Sequence, residues 1–249
     1  TLSLHDALPI YLRIGADVAG AVPLRANEGL SARGSFLVGK GFLGTKSELA
    51  DMAKGTDALE RLIVRPFLGG YDLSQTNRGR WVIDFWGLSK EDAKLKYPRL
   101  FQHLLDTVKP VRDQNPMDWR RDNWWVFGDP SRSYRSVTDT LNRVIVTSRT
   151  AKFRCFQMWT TSHLCESEVV VVGLDDCWAL SVLSAHIHEV WSLSVCGWMG
   201  IGNDPRYNNS KIFDPFPFPD PTEDQKTKLR ALGEQLDAHR KAQQAAHPK

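Results

Sequence analysis

The chain has 249 residues, 42% hydrophobic and 24% charged, a globular composition that excludes a disordered or collagen-like polypeptide. No apolar run approaches the roughly 18 to 20 residues of a membrane-spanning helix, and no signal-peptide pattern opens the chain, so no membrane partner is expected. The net charge is only +3, yet residues 61–154 hold 18 Lys+Arg against 10 Asp+Glu while residues 155–249 hold 8 against 12. Most cations of the middle third are arginines, whose planar fork suits phosphates and guanine edges. That concentration predicts a polyanion partner, with a merely solvated basic surface as the alternative.

Taken in chain order, Thr1–Ile10 (TLSLHDALPI) are set aside, because back-translation gives a run resembling a short-read sequencing adapter. The expectation is an artefact, with the natural protein extending upstream of Tyr11. Strand content is predicted at residues 34–38, 81–85, 124–127, 143–147, 153–159 and 169–172 from their β-branched and aromatic residues. Helices are predicted between them at 46–54, 89–96, 98–108 and 134–141, and a longer apolar run covers 178–195. The expected fold class is α/β in the mixed α+β sense, an irregular mixed sheet without a βαβ rhythm. Residues 11–212 form its domain, and a helical tail follows at 213–249.

The tail opens with four prolines in Phe213–Pro221, which excludes a helix there. Asp220, Pro221 and Glu223 predict a capped helix start, and Leu229, Leu232 and Leu236 predict a narrow apolar stripe that docks on a neighbour. The four cysteines, Cys155, Cys165, Cys177 and Cys196, form no C-x-x-C pair and read as reduced thiols.

Several motifs suggest chemistry and fail on spacing. Gly39-Lys-Gly-Phe-Leu-Gly44 fits a nucleotide loop, but Asp57 and Glu60 lie in a polar helical stretch rather than at a strand tip, so a glycine-rich turn is the better reading. His186 and His188, two apart on a helix, point to opposite sides and cannot share an ion. The stretch Ser89–Lys94 lacks the strand-borne acid–lysine pattern of a metal nuclease. Asn203-Asp-Pro-Arg-Tyr207 lacks the doubled proline of an amino-methyltransferase tetrapeptide. What remains are basic and aromatic clusters: Arg78 and Arg80; Trp119, Arg120, Arg121, Trp124 and Trp125; and Arg149, Lys152, Phe153 and Arg154. Such rings either pack in a core or stack beside phosphate-binding cations.

Several segments in order carry a family likeness: Asn27–Phe36 into Gly39–Phe42, Val64–Leu73, Arg80–Phe85, Trp124–Gly128, and Gly202–Tyr207 into Phe213–Pro219. Together they resemble the target-recognition domain and C-terminal region of MmeI-like enzymes. These are class I S-adenosylmethionine-dependent DNA adenine methyltransferases of bacterial restriction–modification systems, some fused to an endonuclease. The resemblance implies a cytoplasmic fragment that recognises double-stranded DNA. It implies no cofactor or catalytic residue in this chain, with S-adenosylmethionine and the chemistry in the methyltransferase part of the same parent protein. It places base reading in the loop Trp198–Tyr207, with Arg206 as a guanine reader and Asn203 as an adenine reader. Arg149, Lys152 and Arg154 follow as clamps or readers, and Arg78, Arg80, Arg120 and Arg121 as phosphate contacts. The alternative is an assembly module that recruits a separate catalytic chain through its C-terminal helix. A free-standing small-molecule enzyme is disfavoured, because no nucleophile–base pair or metal cluster is visible.

Overall fold

A computed structural model describes residues 20–199 and 204–247. It is a mixed α+β fold built on two four-stranded sheets. The N-terminal half contains β1 (Ser31–Arg33), β2 (Leu43–Gly44), α1 (Lys46–Ala53), β3 (Val64–Leu68), α2 (Gly70–Ser74) and β4 (Trp81–Ile83). Five short helices follow: α3 (Lys90–Lys96), α4 (Pro98–Thr107), α5 (Lys109–Asp113), α6 (Asp118–Asp122) and α7 (Arg132–Thr138). Then come β5 (Arg143–Ser148), β6 (Phe156–Thr160), β7 (Leu164–Cys165), β8 (Val169–Val172), α8 (Cys177–Ser184) and α9 (His186–Val195). A short hairpin of β9 (Gly197–Met199) and β10 (Asp204–Arg206) leads into α10 (Asn209–Ile212) and the long α11 (Glu223–Ala246).

The first sheet runs β1-β8-β5-β6 and is antiparallel throughout, whereas the second runs β2-β4-β3-β7 with β3 parallel to β7. Val169–Val172 are all buried, as expected of a central strand covered on both faces. One apolar cluster lies around Phe42, Phe67, Phe85, Leu100, Trp124 and Phe127. A second joins Ile145, Phe156, Leu180, Tyr207, Ile212 and Phe213, so the residues on either side of position 212 share a core.

Local chemistry explains where the structure departs from the sequence expectation. Residues 34–38 leave the sheet as single bridges, Ser35 with Glu166 and Phe36 with Asp129. A side chain at Gly34 would overlap the carbonyls of Cys165 and Glu166, and Val38 sits at φ 51°. Residues 124–127 form a turn rather than a strand, and Trp124, Val126 and Phe127 are all buried, without the alternation of a half-exposed strand. The apolar run 178–195 breaks at Ala185, whose ψ of 151° is extended. The C-terminal helix is capped by Thr222 and Gln225, not Asp220 and Glu223, because Asp220 precedes Pro221 and is thereby kept extended.

The docking partner of α11 is α8 of this same chain. Leu232 is 59% exposed, and the inward face centres on Gly233, where a side chain would overlap the Cys177 carbonyl. The helix also completes the open edge of β6: Asp237 Oδ1 accepts from Met158 N (2.9 Å), Lys241 Nζ donates to Met158 O (2.7 Å), and Arg240 Nη1 donates to Phe156 O (2.6 Å). Further along, Gln244 Nε2 donates to the carbonyl of Asp72 at 2.8 Å and thereby braces α2. The Gly233–Asp237 face of α11 is therefore covered from within, while Leu232 of the expected leucine stripe faces outward.

Candidate nucleic-acid interface

The register of the first sheet brings Arg33, Ser148, Phe156 and Val169 to one end. The loops continuing from these positions converge there. Arg149 follows β5, with its N–H on Glu168 O (2.8 Å) and its Nη1 3.5 Å from Glu168 Oε1. Its carbonyl accepts from Tyr207 N at 2.7 Å, and Thr150 bridges Arg206, so β10 is laid beside the β5 loop. Burial and the like charges of Arg206 and Arg33 disfavour protonated Arg149, and Glu168 offsets only part of this. Three guanidiniums therefore share a neighbourhood with two carboxylates, Glu168 on Arg149 and Asp129 on Arg33, an arrangement whose remaining positive charge attracts an anion.

The adjoining wall is α2. Asp72, 1% exposed, accepts from Gly69 N (2.8 Å), Arg78 Nε (2.8 Å) and Arg80 Nη2 (3.0 Å), while Arg80 also reaches Glu166 at 3.2 Å. Burial works to raise the Asp72 carboxyl, but the bonds from Arg78, Gly69 and Arg80 outweigh it and hold it below the usual carboxylate range. A side chain at Gly69 would displace the ends of Arg80, Glu166 and Arg78 and so disturb this cluster. Arg78 keeps 41% of its side chain exposed and covers the exposed Tyr71 ring at 4.8 Å. Lys152 likewise lies 5.5 Å from the exposed Phe153 ring. The rim thus alternates cations with rings.

The remaining expected residues are placed differently. Arg154 is turned inward, donating to Ser148 O, to Thr147 Oγ1 (3.2 Å) and to Pro205 O (3.1 Å) beneath the Tyr207 ring. It ties the β5 loop to β10, and burial lowers its pKa; the structure turns this expected clamp or reader inward. Arg121 pairs with Asp118 and Asn115 O and is held within its own loop, whereas Arg120 donates only Nε, to Gly128 O (3.1 Å) over Phe36, and keeps its terminal nitrogens unbonded among the described residues. Asn203 lies outside the described residues. Arg206 pairs in the β9–β10 hairpin, and its Nη1 contacts the soft Met199 sulfur at 2.9 Å.

Much of the arginine excess is therefore architectural. Arg112 is fully buried and gives its guanidinium to four carbonyls, Arg135 grips Asp84 through two bonds, and Arg65 and Arg143 bind backbone oxygens. A loop-rich fold leaves carbonyls unpaired by sheet or helix, and the five-donor fork of arginine satisfies several at once. Sequence reasoning missed Arg33, which lies outside the basic third, and Glu166 and Glu168, which order the arginines. The Ser-Ala-Arg-Gly segment held the signal for Arg33.

Among the described residues no group of three or more His, Cys, Asp or Glu could hold a metal ion, and no helix is long and apolar enough to cross a membrane. A mixed α+β domain that gathers Arg33, Arg78, Arg80, Arg149 and Arg206 at one end of a sheet has the makings of a recognition domain for an anionic partner. The chain belongs to the MmeI target recognition domain family, whose model matches residues 29–220. Its fold is similar to that of a solved Type IIL restriction-modification enzyme, MmeI, in complex with DNA, with a TM-score of 0.69 and 18% identity. The likeness covers 96% of this chain and 31% of that one. No curated protein sequence matches.

Proposed function

We propose that this chain is the double-stranded DNA-reading portion of a site-specific DNA adenine methyltransferase of a bacterial, cytoplasmic restriction–modification system. The observation that carries the reading is the gathering of Arg33, Arg149 and Arg206 with the Asp72-held pair Arg78 and Arg80 at one end of the sheet, in a chain of the MmeI target recognition family. Arg78 and Arg33, ordered by carboxylates yet about two-fifths exposed, suit phosphates. Arg206, on a hairpin with exposed Trp198 and Met199, suits a base edge in the major groove, with Asn203 beside it in sequence. The methyltransferase domain, with S-adenosylmethionine and any endonuclease, belongs to the rest of the parent protein.

The test is fluorescence anisotropy of a labelled 30-base-pair duplex titrated with the 249-residue chain at several salt concentrations. Binding that weakens by a factor of ten or more between about 50 and 200 mM salt is the expected result, since several phosphate contacts release counterions together. Affinity independent of salt would refute the reading.

A further inference from the structure

Beside the arginine end, a cleft of 350 Å³ opens among Trp86, Trp119, Arg120, Asp129, Pro130 and Arg132. We propose that this cleft binds a nucleotide, with the base against the indoles and the phosphate on Arg132 and Arg120. Its volume falls in the range of small-ligand sites, and its lining joins apolar faces to a few charged groups.

The side chains are poised for such a ligand. Trp119 is 43% exposed, and among the described residues neither it nor Trp86 stacks on another aromatic ring. Trp86 carries Arg135 5.4 Å from its ring centroid. Arg132 is exposed, and no hydrogen bond or ion pair to it occurs among the described residues. Arg120 is fixed through Nε on Gly128 O and through the Phe36 ring, with its terminal nitrogens directed to no partner among the described residues. The Asp129 carboxylate accepts from Ser131 N at 2.9 Å through Oδ1, while Oδ2 lies 3.4 Å from Arg33. It offers an acceptor to an exocyclic amine, as guanidiniums offer donors to a phosphate. Two indoles, two cations and one carboxylate around a cavity of this size fit a nucleotide better than an apolar peptide, which would leave the charges unpaired.

The cleft adjoins the proposed DNA face through Arg33, which sits between Asp129 and Arg149. The nucleotide has two possible sources: an unpaired residue of a bound DNA strand, which rests on the proposed function, or a free mononucleotide, which does not.

The experiment titrates the 249-residue chain with dAMP and, separately, with an eight-nucleotide single strand, following tryptophan fluorescence, with duplex anisotropy in parallel. Saturable quenching by at least one probe is expected, weakened about tenfold by Trp119→Ala and about tenfold by Arg132→Glu, with unchanged circular dichroism in the latter. Tighter binding of the strand than of dAMP assigns the source to DNA; equal binding assigns it to the free nucleotide. Quenching that persists while duplex binding fails supports the cleft and removes the DNA face. No quenching at millimolar probe, or quenching unchanged in both variants, overturns the proposal.

Discussion

Replacing Arg112 by Met tests whether buried arginine, rather than apolar packing alone, holds the loops that frame the interface. Arg112 donates Nε to Val38 O (2.6 Å), Nη1 to Arg120 O (3.1 Å), and Nη2 to both Leu37 O and Val126 O (2.9 Å each). It has no carboxylate among these partners and lies 5.9 Å from the Phe42 ring. Burial and the charge of Arg120 pull its pKa down to about 10, which leaves it a cation at neutral pH. Leu37 O keeps a second donor in Gly128 N at 3.0 Å. The other three carbonyls lose a charge-assisted bond in the dry interior, at about 1–3 kcal/mol each. Relief from holding a cation away from water offsets part of that sum. The net loss is expected at about 2–5 kcal/mol, the cost of three unpaired carbonyls less that relief. Against a typical total stability of about 5–15 kcal/mol, this is severe. Urea denaturation followed by far-UV circular dichroism at pH 7 measures it, with Arg112→Lys expected to fall between Met and wild type. A loss below about 1 kcal/mol for Arg112→Met would refute the reasoning.

Two further outcomes follow from the packing. Gly233→Ala should destabilise by about 1–3 kcal/mol in thermal unfolding despite the better helix propensity of alanine, because the added methyl meets the Cys177 carbonyl, which cannot yield cheaply. A neutral or stabilising result would show that α11 can shift on α8. His188 is buried, with Nε2 3.0 Å from the Tyr207 hydroxyl, and burial together with Arg154 lowers its pKa from 6.5 to about 4. Its folded-state pKa lies below the unfolded one, so the unfolded chain binds the extra proton and stability falls as pH drops from 6.5 towards 4. The loss attributable to this group is about 3 kcal/mol. The stability difference between wild type and His188→Gln, measured by urea titration across that window, should shrink by about this amount on acidification; a constant difference would reject the assignment.

The central strands and the amphipathic α4 were legible because their signals are local: Val169–Val172 is a short β-branched run, and Leu100, Phe101 and Leu104 recur at helical spacing. The glycine-rich stretch 39–44 likewise forms a 3-10 turn at Lys40–Phe42 that enters β2. The α11 face was not legible. Leucines mark a stripe by hydrophobicity, but the closest approach of two helices is set by Gly233, which carries no hydrophobic signal. The proposed interface was legible in part. Arginine density in residues 61–154 pointed to Arg78, Arg80 and Arg149, but density cannot separate a guanidinium that reaches outward from one, such as Arg112 or Arg154, that satisfies carbonyls within. That distinction depends on which loops lack backbone partners, a property of the tertiary fold.

The most direct test compares two double charge reversals by duplex anisotropy over a salt series. Arg149→Glu with Arg206→Glu removes the pair at the sheet end. Arg61→Glu with Arg99→Glu removes equal charge elsewhere, where Arg61 pairs with Asp57 and Arg99 bonds Asp51 O. The first pair should weaken binding at least a hundredfold and flatten the slope of log affinity against log salt by up to about 2, while the second shifts both far less. Equal losses for the two pairs would contradict a localised reading face and leave only diffuse attraction by net charge.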